Sequence, residues 1–149
     1  MATNSRFKII AAQTPEVERE LEHLFLSKND KTGWSINTAI AETCEPTKAC
    51  QVYCYGLNGR IALPGALVRQ AENAAFFSVA EGEWGQIADE AIDITHVVSR
   101  QQDFLRMFGV GDLQPGSVYF INQMATYAAG TKPDFRIWVS TRKFQLAAK

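Results

Sequence analysis

Apolar residues recur along this chain with two periods, one near 3.6 and one of 2, and their alternation sets out an order of elements. Val17, Leu21, Leu24 and Phe25 share one face of a helix that runs to about Leu26. Thr14-Pro15-Glu16 opens it with a hydroxyl cap, a proline in the first turn and an early acid. Before it, Phe7 to Ala12 is a short apolar run, a strand or a packing arm. Ser27 to Gly33 is polar and predicts a loop, and Trp34 to Ile40 alternates as a strand does. Pro64 starts a second helix, with Leu67, Val68, Ala71, Ala74, Ala75 and Phe76 as its buried face. Glu81-Gly82-Glu83 interrupts the pattern. A third helix resumes near Gln86, with Ile87, Ala91, Ile94, Val97 and Val98 inward, and ends before Asp103. Phe104 to Phe108 predicts a strand, Ser117 to Ala129 a helix through Phe120, Ile121, Met124 and Tyr127, and Phe135 to Ser140 a last strand.

Strands alternating with helices predict an α/β fold: a small parallel sheet of three or four strands with flanking helices. At 149 residues the chain is expected to be a single domain, residues 1–33 forming an N-terminal arm and helix and 34–149 the core. In such sheets ligands gather beyond the carboxyl ends of the strands. The segments leaving those ends are the one after Ile40, the turn Gly109-Val110-Gly111-Asp112, and Ser140-Thr141-Arg142-Lys143. So few strands leave an edge exposed, which invites a homo-oligomer by edge pairing.

Composition narrows the classes. With 46% hydrophobic and 21% charged residues the chain reads as an ordinary globular protein. A net charge of −1 without a basic block gives no positive reason to expect nucleic-acid binding. No apolar run approaches the ~18 residues of a membrane span, and the first residues lack the apolar stretch of a secretory signal. A reducing, cytoplasmic setting is expected.

All three cysteines, Cys44, Cys50 and Cys54, fall within eleven positions with C-x5-C-x3-C spacing. An odd number cannot pair off as disulfides, and three is one short of a closed structural zinc site. A [4Fe–4S] cluster bound by three thiolates keeps its fourth iron open to another ligand. Zinc would need His23 or His96 to complete its shell, and neither stands at the usual short spacing from a cysteine. The bland alternative is three buried thiols acting as small hydrophobes.

The order Thr43-Cys44, Cys50, Cys54-Tyr55, Gly59-Arg60 and Asn73 is followed by Leu105-Arg106 with Gly111-Asp112-Leu113, and by Trp138-Val139-Ser140-Thr141-Arg142. It resembles the phage-encoded gene product 88 family from roughly Trp34 to Phe144, and that likeness implies the host cytoplasm as the setting. That family carries T-C-P-x4-C-x3-C-Y-x3-G-R, an asparagine-bearing helix, F-R-x3-S-G-D and a strand ending in T-R or T-K. Val110 stands here in place of the family's serine. More distantly the pattern resembles the radical S-adenosylmethionine enzymes, whose cysteine spacing is x3 and x2. That likeness implies a shortened partial barrel, a [4Fe–4S] cluster, S-adenosylmethionine as a further cofactor, and Asp112 with Gly109 and Gly111 as ligand contacts.

Arg60 and Arg142 are candidates for meeting a carboxylate or offsetting a thiolate-ligated cluster. Asn73 is a candidate from the second helix. Each has a plainer role available: surface ion pairs for the arginines, and a helix cap for Asp112. The sequence therefore points to an iron–sulfur protein for redox or small-ligand chemistry, with a small molecule or redox partner. A zinc-bound or metal-free accessory protein that binds a host protein is the alternative, and a radical S-adenosylmethionine enzyme a second one. Asp89, Glu90 and Asp93 are expected on a solvated helix face, and His96 as a packed or surface residue.

Overall fold

The computed structural model describes residues 12–15, 23–29, 33–44, 63–108 and 111–141. Four strands form one sheet: β1 (Leu26–Asn29), β2 (Gly33–Ile36), β3 (Phe104–Met107) and β4 (Arg136–Val139), side by side in that order. Among the described residues, helices α1 (Ile40–Thr43), α2 (Pro64–Phe77), α3 (Trp84–Ser99) and α4 (Pro115–Thr131) accompany it, with a 3₁₀ turn at Glu81–Glu83. β2, β3 and β4 run parallel, as the alternation of elements predicts. β1 runs antiparallel to β2, with Leu26 opposite Ile36 and Asn29 opposite Gly33, so the sheet is mixed.

Three helices follow their periodicity closely. α2 starts at Pro64, whose missing N–H is no loss in a first turn. α4 starts at Pro115, and the Ser117 hydroxyl accepts the Gln114 N–H at 2.8 Å. Gly116 sits where α4 meets the end of α2: a Cβ there would lie 2.1 Å from the Phe77 carbonyl oxygen. Helices α3 and α4 pack on each other and over one face of the sheet. Ile36, Leu105 and Met107 of the sheet meet Phe76, Phe77, Ile87, Ala91, Ile94, Val98, Phe120 and Met124 in a continuous core. Phe77 lies edge-on to Phe76 and to Phe120, with ring centroids 5.7 and 5.3 Å apart.

Several expectations are corrected. Leu26–Asn29, placed at a helix end and in a loop, is a strand: Leu26 directly follows the helical run Leu21, Leu24 and Phe25, but pairing with β2 overrides that local signal. β2 stops at Ile36, and the chain turns into α1 before the first cysteine instead of running straight from strand to thiol. Val68 and Val97 are exposed, while Gln70, Glu72 and Asn73 of α2 are buried, Asn73 because its amide bonds to the backbone at Phe25 and Asn37. Glu90, expected in solvent, is buried at 6% exposure. One of its oxygens accepts the Leu24 N–H at 3.3 Å and the other faces His23 Nδ1 at 3.0 Å. His96 is exposed in the last turn of α3.

Candidate functional site

Because β2, β3 and β4 are parallel, the segments leaving them emerge on the same edge. There the backbone itself crosses from strand to strand: Phe108 N–H donates to the Ile36 carbonyl at 2.8 Å, and Ser140 N–H to the Met107 carbonyl at 3.2 Å. Phe108 adopts φ 67°, the left-handed region, while being 2% exposed. For a bulky aromatic residue that backbone costs on the order of 1–3 kcal/mol, and such strain concentrates at functional edges.

Four short polar side chains are stitched together just beyond. The Thr43 hydroxyl donates to the Ala39 carbonyl at 2.9 Å and accepts the Asp112 N–H at 2.9 Å. Thr38 Oγ1 lies 3.2 Å from the same oxygen. The one proton of the Thr43 hydroxyl goes to Ala39, so Thr38 is the donor in that pair. Asp112 Oδ1 accepts the Leu113 N–H at 2.7 Å and the Thr141 hydroxyl. Thr38, Thr43 and Asp112 are 0%, 1% and 4% exposed, so the bonds among these three are made away from water. There, an abandoned partner costs about 1–3 kcal/mol.

Gly111 makes this closeness possible. Its φ is 92°, and a Cβ would fall 2.1 Å from Thr38 Oγ1 and 2.5 Å from the Thr38 carbonyl oxygen. Asp112 does not cap α4, whose N-cap is Gln114. Its carboxylate serves the end of β4 instead.

Asn73 also stands at this edge. Its Nδ2 donates to the carbonyls of Asn37, at 2.8 Å, and Phe25, at 2.9 Å, and its Oδ1 accepts the Phe25 N–H at 2.7 Å. The amide therefore clamps the chain entering β1 to the chain leaving β2.

Cys44 is the residue that ends α1. Its N–H donates to the Ile40 carbonyl at 3.1 Å, and its side chain is half-buried. It follows Thr43 directly, so the first cysteine is one residue from the hydroxyl network. The structure thus brings Cys44, Gly111, Asp112 and Asn73 to one edge of the sheet. Cys50, Cys54, Arg60, Gly109 and Arg142 lie outside the described residues. Among the described residues no group of three His, Cys, Asp or Glu side chains is arranged to hold a metal ion. Of the three cysteines expected to hold a sulfur-ligated group, the described one, Cys44, is half-buried at the carboxyl edge of the sheet. The two histidines are placed otherwise. His23 is held to α3 by Glu90. His96 lies toward the end of α3 that leads into Gln101 and Gln102, at the amino ends of the strands.

Thr43 and Thr141 entered the sequence reading only as members of the family pattern, and Thr38 only inside a predicted strand; none was expected to bond to another. The available signal was positional: polar residues directly after apolar strands, where solvent exposure is the easy assumption. Trp138, a member of the family pattern, stacks on Phe104 with centroids 4.5 Å apart and remains 54% exposed.

These features define a four-stranded mixed α/β domain whose carboxyl edge is a buried hydroxyl–carboxylate network adjoining a cysteine segment. The profile described as gene product 88 matches residues 4–149, and the chain belongs to that phage gene product family. No curated protein matches the chain, and no solved structure does. No helix among the described residues is long and apolar enough to cross a membrane.

Proposed function

We propose that the chain binds a [4Fe–4S] cluster through Cys44, Cys50 and Cys54, leaving the fourth iron for a small ligand or redox partner. The observation that carries this reading is the concentration of every cysteine within eleven residues, the first of them on the carboxyl edge of the sheet. When bound, such a cluster supplies electron transfer or an open Lewis-acidic iron. The chain's own contribution is placement: α1 presents Cys44, the threonine network fixes α1 to β3 and β4, and Asp112 and Gly111 form the adjacent wall. Arg60 and Arg142 are the residues proposed to offset the negative charge of a thiolate-ligated group.

Anaerobic purification with iron, sulfide and zinc analysis tests the reading. Iron and sulfide in equal amounts, with the broad visible absorbance of an iron–sulfur protein, support it. Colourless protein with stoichiometric zinc, or with no metal, favours the accessory-protein alternative. Cys50→Ala is expected to abolish iron retention, and iron at the wild-type level would overturn the ligand assignment. Adding S-adenosylmethionine to the reduced protein tests that ligand. A perturbed EPR spectrum places it at the open iron, and an unchanged one removes it.

A further inference from the structure

The hydroxyl network contains one residue with a role beyond packing. We infer that Thr43 is the positioning residue of the cysteine segment, the latch through which β3 and β4 hold Cys44 in place for a sulfur-ligated group. The inference rests on the cluster reading above.

Thr43 is the last residue of α1, and Cys44 follows it. Its single hydroxyl oxygen is the meeting point of three bonds: a proton given to Ala39, one taken from Thr38 and one from the Asp112 N–H. The first closes α1 on itself. The second reaches the segment leaving β2. The third reaches across to the segment leaving β3, a residue 69 positions away in sequence. Asp112 then passes the connection to β4 through the Thr141 hydroxyl. A four-residue helix has little stability of its own, so its last residue needs such an external tie. Groups behind a metal ligand fix its orientation, and losing one typically weakens metal retention by about tenfold or more. A valine fits the volume of Thr43 but offers none of the three bonds, whereas a serine restores them.

The full chain, reconstituted anaerobically with iron and sulfide, is compared with T43V, T43S and T141V. T43V is expected to lose iron to a chelator about tenfold faster than wild type, with an altered EPR spectrum of the reduced cluster. T43S is expected to return both to wild type. T141V, which cuts the same chain of bonds from β4, should move them in the T43V direction and carries the test if T43V fails to fold. In metal-free protein, hydrogen exchange at the Asp112 amide should quicken in T43V and not in T43S. Wild-type release rate and spectrum in T43V overturn the latch and leave the cluster reading standing, and so does unchanged Asp112 exchange. Wild-type protein that takes up no iron and sulfide overturns the cluster reading, and the positioning role with it.

Discussion

At the carboxyl ends of β2, β3 and β4 the strands are joined by Thr38, Thr43, Asp112 and Thr141, short side chains, the first three buried. At the amino ends the same strands are joined by long ones. Gln102 Oε1 accepts the Trp34 N–H at 3.1 Å, and its Nε2 donates to the Phe104 carbonyl. Gln101 Oε1 accepts the Trp34 indole N–H at 2.9 Å. Lys132 spans from the Ser99 carbonyl to Asp103, whose side chain is 81% exposed. Long side chains in water lose rotamer freedom to make each bond, and water replaces them readily when they leave. Short buried ones lose less and have no substitute partner. The carboxyl edge is therefore the rigid one, and the cysteine segment departs from it.

This contrast can be broken by substitution, the largest effects falling on the carboxyl edge. Gly111→Ala combines a left-handed backbone with a Cβ inside contact distance of Thr38. It is expected to cost about 4 kcal/mol in denaturant unfolding. A cost below about 1 kcal/mol would mean the edge yields easily. Asn73→Ala abandons the Phe25 N–H and two carbonyls together. About 3 kcal/mol is expected, and amide exchange at Phe25 should rise in parallel. Asp103→Ala, at the amino edge, is expected to change stability by less than about 0.5 kcal/mol. A loss as large as that of Asn73→Ala would erase the distinction between the two edges.

Much of this arrangement was legible before the structure. The helical repeats of Leu67 to Phe76, Ile87 to Val98 and Phe120 to Tyr127 announce α2, α3 and α4, because each buries a continuous stripe. Alternation of elements gave the parallel run β2–β3–β4, and with it the edge on which Cys44 and Asp112 both stand. What was not legible depends on partners distant in sequence. β1 exists through its pairing with β2, and its own residues carry no strong strand signature. Glu90 is read as solvent-facing from its acidic neighbours, yet the Leu24 backbone and His23, more than 60 positions earlier, draw it inward. Nor can spacing show that one threonine hydroxyl would gather three bonds. The cysteine trio is plain in the sequence, and two of its members lie outside the described residues.

The reversed direction of β1 has a consequence for how the molecule tolerates trimming. Since that outer strand begins beside Ile36 and ends beside Gly33, the polypeptide ahead of it arrives on the thiol-bearing rim. Shortening the protein from its front through Phe25 would therefore unfasten the carboxyl edge, where Asn73 holds that residue. Edits around Gln101 and Asp103 would strike only the far side.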